Sequence, residues 1–328
     1  MSFYYISSMK LFHRNLSIAS VFIYFISCST PNESEKWCDH PGRKGYEDYT
    51  EIATQYPWYK VYSVADDVYA IYEPYNWQQV ISYLIVGSEK AILFDTGMGL
   101  DSIQSVVRQL TALPVSVINS HTHYDHIGGN ADFETIYGVD TAYTKTNSQG
   151  WSHESIKQEV TTRALCADNL SGVDTAAYHI RPYTLTGFIH DGSSFDLGGR
   201  QIEVMIIPGH TPDCVALIDR EAGLLWTGDT YYEGPLWLFF PGTDLNAYQN
   251  TITRLASLVP DLKHLLPAHN LPLISPIRLV EVRDGLALIR AGKYNGEPLK
   301  EVGNPLAKDV MEFKFDGFSF LIRGDLLQ

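Results

Sequence analysis

The stretch His121-Thr122-His123-Tyr124-Asp125-His126 decides how the chain is read. A lone histidine is usually a satisfied structural residue, but three imidazoles and a carboxylate within six residues are hard to explain as core filling. In an extended backbone side chains alternate, so His121 and His123 point to one side and can share one metal. The turn into Gly128-Gly129 then swings Asp125 and His126 towards a second metal nearby. A short apolar run at 115–119 precedes the motif and predicts the strand that delivers it.

Further along the chain, three more ligand types stand at the ends of apolar runs. His210 lies in Pro208-Gly209-His210-Thr211-Pro212, Asp229 in Thr227-Gly228-Asp229-Thr230, and His269 in Pro267-Ala268-His269-Asn270. Each sits among turn-forming residues, which suits a ligand presented on a rigid loop. Of eleven histidines, five fall in these motifs; the rest (His13, His40, His153, His179, His190 and His264) are read as structural or surface residues. Imidazoles with few carboxylates suit zinc, whereas calcium or magnesium would want more oxygens. The expected cofactor is therefore two zinc ions, with iron or manganese as alternative occupants.

The flanking sequence supplies a scaffold. Alternating segments at 60–65 and 68–72 surround Asp66-Asp67 as a hairpin signal, and 80–86 pairs with 91–95 around Gly87-Ser88-Glu89-Lys90. Asp101 stands as the expected N-cap of a helix carrying Ile103, Val106, Val107 and Leu110 at helical spacing. The second half repeats the rhythm: hairpins at 194–207 and 215–227, a helix at 245–259 behind Asp244, a strand at 264–266 and a helix at 277–291. Residues 145–190 read as a polar, helix-compatible insertion between the halves. Two β-rich halves with helices outside predict an α+β fold, an αββα four-layer sandwich with two sheets face to face.

The chain of 328 residues is 45% hydrophobic and 12% aromatic, enough to bury a sizeable core. Its formal net charge of −14, with no run of Lys or Arg, argues against a nucleic-acid partner and leaves a small molecule as the expected one. Lys10, His13 and Arg14 precede an apolar run from 16 to 26 and the small residues Ser27-Cys28-Ser29, so residues 1–28 read as an export signal. Phe25-Ile26-Ser27-Cys28 is a loose lipobox that would place a lipid on Cys28, the one expected link to a membrane. Phe25 is unusual there, and ordinary cleavage with release is the alternative. The expected location is a bacterial envelope, the periplasm or the extracellular space. Residues 29–57 read as a tether or a loosely packed N-terminal extension, and the catalytic domain as 58–328. Cys166 and Cys214 read best as buried small apolar side chains.

With these motifs, residues 58–320 resemble the metallo-β-lactamase superfamily, whose ligand motifs occur here in the same order. The resemblance implies that His121, His123 and His210 hold one metal, Asp125, His126 and His269 the other, and that Asp229 bridges them. It implies for Asp95, in Phe94-Asp95-Thr96-Gly97, the role of orienting a ligand from behind. Members that bind di-iron for oxygen chemistry place Glu where this chain has His123, which disfavours a redox site. Two such metals supply a hydroxide at neutral pH and a Lewis acid for a carbonyl; Asp125 would accept a hydrogen bond from the nucleophile. No Gly-x-Ser-x-Gly elbow offers a serine instead.

The resemblance also sorts substrates. Zinc β-lactamases carry Cys or Ser where this chain has Asp229, which counts against that activity. Lactonases that open acyl-homoserine lactones place a Tyr three residues after the bridging Asp, where Tyr232 stands; its hydroxyl would bond the lactone carbonyl or oxyanion, its bland reading being a packing aromatic. Tyr231, Trp237 and Phe239, with Leu236, Leu238 and Phe240, predict an apolar wall for an acyl chain, and Trp77 in the 74–79 loop a lid. The expectation is an ester or lactone hydrolase. The alternatives are a glyoxalase II-like thioesterase, less favourably a β-lactamase, and, outside enzymes, a metal- or ligand-binding lipoprotein.

Overall fold

A computed structural model describes residues 43–166, 173–299, 307 and 309–327. The expected signal, the lipobox and Cys28 lie outside the described residues. The first sheet has eight strands in sequence order: β1 (Thr50–Ile52), β2 (Lys60–Ala65), β3 (Val68–Tyr72), β4 (Ile81–Val86), β5 (Ala91–Phe94), β6 (Val115–Ile118), β7 (Ile136–Val139) and β8 (Gly187–Ile189). It is antiparallel as far as β5 and parallel from there to β8. The β2–β3 turn works because Asp67 takes a left-handed φ of 53°, which a short side chain with a local acceptor tolerates.

The second sheet runs β14-β12-β11-β10-β9, from β9 (Ser194–Asp196), β10 (Gln201–Ile206), β11 (Val215–Asp219), β12 (Leu224–Gly228) and β14 (His264–Pro267). Period-two alternation assigns each strand's faces. Tyr62, Tyr83 and Phe94 of the first sheet pack with Val204, Leu217 and Trp226 of the second in one shared core. The outer face of the first sheet, through Val61, Leu84, Leu93 and Val117, meets Ile103, Val106 and Val107 of helix α1 (Ile103–Leu110). The outer face of the second, through Met205, Ala216 and Leu265, meets α5 (Leu245–Ala256) and α6 (Arg278–Arg290). This is the expected four-layer αββα order.

Several expectations are corrected. The N-cap of α1 is Ser102, whose hydroxyl accepts from Ser105 N–H, not Asp101; Asp244 does cap α5, accepting from Asn246 and Ala247. The expected tether is folded in its described part: β1 pairs with β2, and Tyr46 is buried and stacked on Tyr72 at 4.5 Å. Aromatic burial there outweighs the polar composition that made the segment read as linker. Cys166 is disulfide-bonded rather than a free buried thiol, while Cys214 is free and buried. Among its described residues the insertion has little regular structure beyond the end of α3 (Ala142–Asn147), α4 (His153–Ile156), a 3₁₀ turn at Lys157–Val160 and the closing strand β8. A further sheet, absent from the sequence reading, joins β13 (Gly234–Leu238) to β15 (Glu297–Pro298), β16 (Val310–Lys314) and β17 (Phe318–Arg323) in the order β13-β17-β16-β15. Among the described residues no helix is long and apolar enough to cross a membrane.

Candidate metal centre

Loops at one end of the two sheets carry all seven expected ligands. β6 feeds His121 and His123, the one-turn helix α2 (Tyr124–Ile127) carries Asp125 and His126, and the loops after β10, β12 and β14 carry His210, Asp229 and His269. Two glycines let these loops approach. A Cβ on Gly228 would lie 2.5 Å from Ser120 Cβ, and one on Gly128 would lie 2.2 Å from the Met98 carbonyl carbon, so a larger residue at either place would force the strands of the site apart. Asp95, Gln79 and Asn270, all non-glycine, take left-handed φ of 68°, 49° and 72° around the same site. Such backbone strain persists only where the surroundings over-determine it.

The ligand atoms fall into converging sets, each with all donors within 4.8 Å of one another: His121, His123 and His210; Asp125, His126 and His269; and His121, His126 and Asp229. In the first set His123 Nδ1 lies 2.9 Å from His121 Nε2 and 3.2 Å from His210 Nε2. In the second, Asp125 Oδ2 is 3.5 Å from His126 Nε2 and 3.7 Å from His269 Nε2. Asp229 faces both. Its Oδ2 is 3.9 Å from His121 Nε2 and 3.7 Å from His210 Nε2, while Oδ1 is 3.4 Å from His126 Nε2 and 3.1 Å from His269 Nε2. One carboxylate thus gives one oxygen to each set.

The far ring nitrogens are held from behind. His126 Nδ1 lies 2.9 Å from Asp95 Oδ2, His210 Nδ1 bonds the Trp237 carbonyl at 2.8 Å, and His269 Nδ1 bonds the Gln78 carbonyl at 2.7 Å. Each of these fixes the tautomer that leaves Nε2 as a lone-pair donor. Asp95 is itself held by Ser120 N–H at 2.6 Å. His126 Nε2 and Asp229 Oδ1 are buried without a hydrogen-bond partner, an arrangement too costly to leave uncompensated and one that a bound cation resolves. The residues present therefore fit a pair of divalent metals.

Electrostatics separates the sets. Burial, followed by the neighbouring imidazoles of His126 and His123, holds His121 well below the ordinary imidazole range, and burial beside His210 does the same to His123. Burial also acts downward on His126 and His269, yet the surrounding carboxylates, Asp125 and Asp229 foremost, outweigh it and raise both rings.

The substrate-side expectations divide. Trp77 is 38% exposed at the rim, with its ring 5.9 Å from Trp237. Trp237 stacks on Phe240 at 5.6 Å, and Phe240 lies 5.3 Å from His123, so an aromatic row runs from the surface to the first ligand set. Tyr231 and Phe239 are corrected: both are fully buried, Tyr231 6.0 Å from Phe318 and Phe239 with Val310 and Leu321. Alternation along β13, paired in parallel with β17, turns Leu236 and Leu238 into the core and leaves Trp237 facing the site. The Tyr232 ring lies 5.0 Å from His269, but its hydroxyl donates to the Pro235 carbonyl.

Asp213 and Glu159 are buried carboxylates beside the site that escaped the sequence reading. Asp213 accepts from Thr122 Oγ1 at 2.6 Å, Thr211 Oγ1 at 2.7 Å and Thr144 Oγ1 at 3.0 Å, and so ties the residue between His121 and His123 to the one after His210. Glu159 lies in the insertion. Apart from Thr211, two residues before Asp213, their partners are distant in sequence, so only the nearness of Asp213 to the His210 motif hinted at a role.

The metallo-beta-lactamase superfamily model matches residues 75–269, and the chain belongs to that superfamily. It is similar to the bovine (Bos taurus) acyl-coenzyme A thioesterase MBLAC2, 27% identical over 228 residues that span 65% of this chain and 81% of the relative. A hydroxyacylglutathione hydrolase of Rippkaea orientalis is 26% identical over 168 residues, 50% of this chain and 53% of that protein. Among solved structures, a metallo-beta-lactamase from Pontibacter korlensis superposes with a TM-score of 0.50 at 20% identity, over 70% of this chain and 99% of the other, a likeness of fold alone. Family and site together make the chain a metal-dependent hydrolase.

Proposed function

We propose that this protein hydrolyses acyl thioesters and esters with a long apolar acyl group, using a binuclear zinc site. The observation that carries the reading is the aromatic row Trp77–Trp237–Phe240, which ends against His123. An apolar chain laid along it would reach the ligand cluster carbonyl first, whereas the small lactoyl group of a glyoxalase II substrate would leave the row unused. The thioesterase named among the relatives supports the same chemistry. Zinc suits the imidazole-rich donor set and, when bound, supplies a hydroxide and carbonyl polarisation.

The chain's own residues do the rest. His121, His123 and His210 would hold one ion, Asp125, His126 and His269 the other, with Asp229 between them. Asp125, at the edge of the second set, is the group that would take a proton from the attacking water and return it to the leaving sulfur or oxygen. The hydroxyl of Tyr232 is committed to the Pro235 carbonyl, so the lactone reading becomes an arm of the test rather than the favoured substrate. We also propose export to an oxidising compartment, a reading supported by the basic and apolar N-terminal run and by the disulfide at Cys166.

The test is a panel on the zinc-loaded full chain: acyl-coenzyme A and p-nitrophenyl esters of two to sixteen carbons, an acyl-homoserine lactone, S-lactoylglutathione and nitrocefin. kcat/KM rising with acyl length, and no turnover of nitrocefin, is the expected result. Activity confined to S-lactoylglutathione, or indifference to chain length, would overturn the proposal.

A further inference from the structure

We propose that Glu159, in the insertion and far from every ligand motif, is a positioning residue that sets both the acyl-side wall and the pose of His269 by pinning the 74–79 loop. Its first effect rests on the acyl reading above; its second does not.

The carboxylate is 4% exposed. Its Oε2 accepts from Trp77 Nε1 at 2.8 Å and from Gln78 Nε2 at 3.4 Å. Its backbone carbonyl accepts from Asn76 Nδ2 at 3.0 Å. The backbone of the same loop is tied to the insertion, with Trp77 N–H bonding the Ala164 carbonyl at 2.9 Å and Cys166 N–H the Tyr75 carbonyl at 3.0 Å. Burying a carboxylate is costly, and an apolar residue would fill the place more cheaply unless the charge has a task.

Two consequences meet at this group. Trp77 is partly in solvent, where an indole without a fixed partner would sample several rotamers; a charge-assisted bond to its N–H holds the ring against Trp237. One residue on, the Gln78 carbonyl is the acceptor that orients His269 Nδ1. Tyr124, whose hydroxyl accepts from the same Gln78 Nε2 at 2.8 Å, opens the helix that bears Asp125 and His126. The insertion is thereby coupled to the second ligand set, the Glu159 side chain adding to the backbone bonds between insertion and loop.

The experiment compares wild type with Glu159→Leu, Glu159→Gln, Trp77→Phe and the Leu/Phe double variant, all as the full chain. Calorimetry measures zinc binding to each apo protein, then dodecanoate and acetate binding to each zinc-loaded protein. Trp77→Phe keeps an apolar ring but removes the N–H donor. Glu159→Leu and Trp77→Phe should each weaken dodecanoate about fivefold, one hydrogen bond's worth, with acetate unchanged. The double variant should weaken it no further, since both changes break the same bond, and Glu159→Gln should restore most of the loss. Glu159→Leu alone should weaken the second zinc roughly tenfold, as loss of support behind a ligand does. Wild-type dodecanoate and zinc affinities in Glu159→Leu would overturn the proposal, as would additive losses in the double variant. If Glu159→Leu does not fold, Glu159→Gln and Trp77→Phe carry the test, and wild-type dodecanoate binding in Trp77→Phe then overturns it. Equal wild-type affinity for dodecanoate and acetate would instead sink the acyl reading, and the zinc arm would still judge Glu159.

Discussion

The two ligand sets sit side by side yet are built on opposite principles. His121, His123 and His210 form an all-imidazole set with rings held neutral by burial, and its supporting carboxylate, Asp213, acts at one remove through three threonine hydroxyls. The set of Asp125, His126 and His269 contains a carboxylate of its own, and Asp95 bonds directly to His126. If each set holds an ion as proposed, the set with carboxylates in and behind it would donate more charge to its ion than the set of neutral rings. The first set would then be the more electrophilic place for a carbonyl, and it is the one the aromatic row reaches. The second would be better suited to hold an ion tightly and to manage protons through Asp125.

The largest expected effect comes from removing what the two share. Asp229→Ala should lower kcat by roughly a thousandfold, because both ions lose an anionic ligand and several kcal/mol of stabilisation. Zinc stoichiometry and single-turnover rates check it; full activity in this variant would refute the shared bridge.

Next come the two supports, which should separate the sets. Asp95→Asn should weaken one zinc by roughly 10–100-fold while sparing the other. Asp213→Asn should strike the opposite ion, by roughly tenfold, because its influence passes through Thr122 and Thr211 rather than through a ring nitrogen. Stepwise zinc titration with a spectroscopically distinct ion such as cobalt would read both; losses at the same site in both variants would erase the distinction.

The last effect falls outside the ligand sets, on stability. Glu73 lies against the turn after Asp95, accepting from Met98 N–H at 2.9 Å and Trp58 Nε1 at 2.7 Å, and burial pushes its carboxyl up to about 7 despite those two bonds. The folded chain therefore holds this proton more tightly than the unfolded chain. The resulting stabilisation is complete below the ordinary carboxylate range and is lost as pH rises to about 7, by about 3 kcal/mol at most. Glu73→Gln should flatten that slope between about pH 5 and pH 7 in denaturant titrations. Parallel curves for the two proteins would show that Glu73 is ionised throughout.

Much of the scaffold was legible locally. Alternation at 60–72 and helical spacing at 103–110 fixed elements that the fold keeps, because those signals concern neighbours in sequence. The short strand β7, the edge strand β8 and the C-terminal sheet were not legible, since short strands declare themselves only through partners far along the chain. The same reason misplaced Tyr231 and Phe239, which flank β13: whether an aromatic beside a ligand motif faces the cleft or the core is decided by distant partners, Phe318 for Tyr231 and Val310 and Leu321 for Phe239.

By itself, then, the sequence determined the ligands. His121 to His126, His210, Asp229 and His269 could be named because donor chemistry and turn context are local properties. Only the tertiary structure decided how they are supported and shared. That Asp229 turns one oxygen to each set, that Asp213 joins two motifs through hydroxyls, and that Glu159 reaches the 74–79 loop from the insertion all depend on chain segments brought together by packing. Hydrogen bonds act over about 3 Å whatever the distance along the chain, so spacing alone does not encode them.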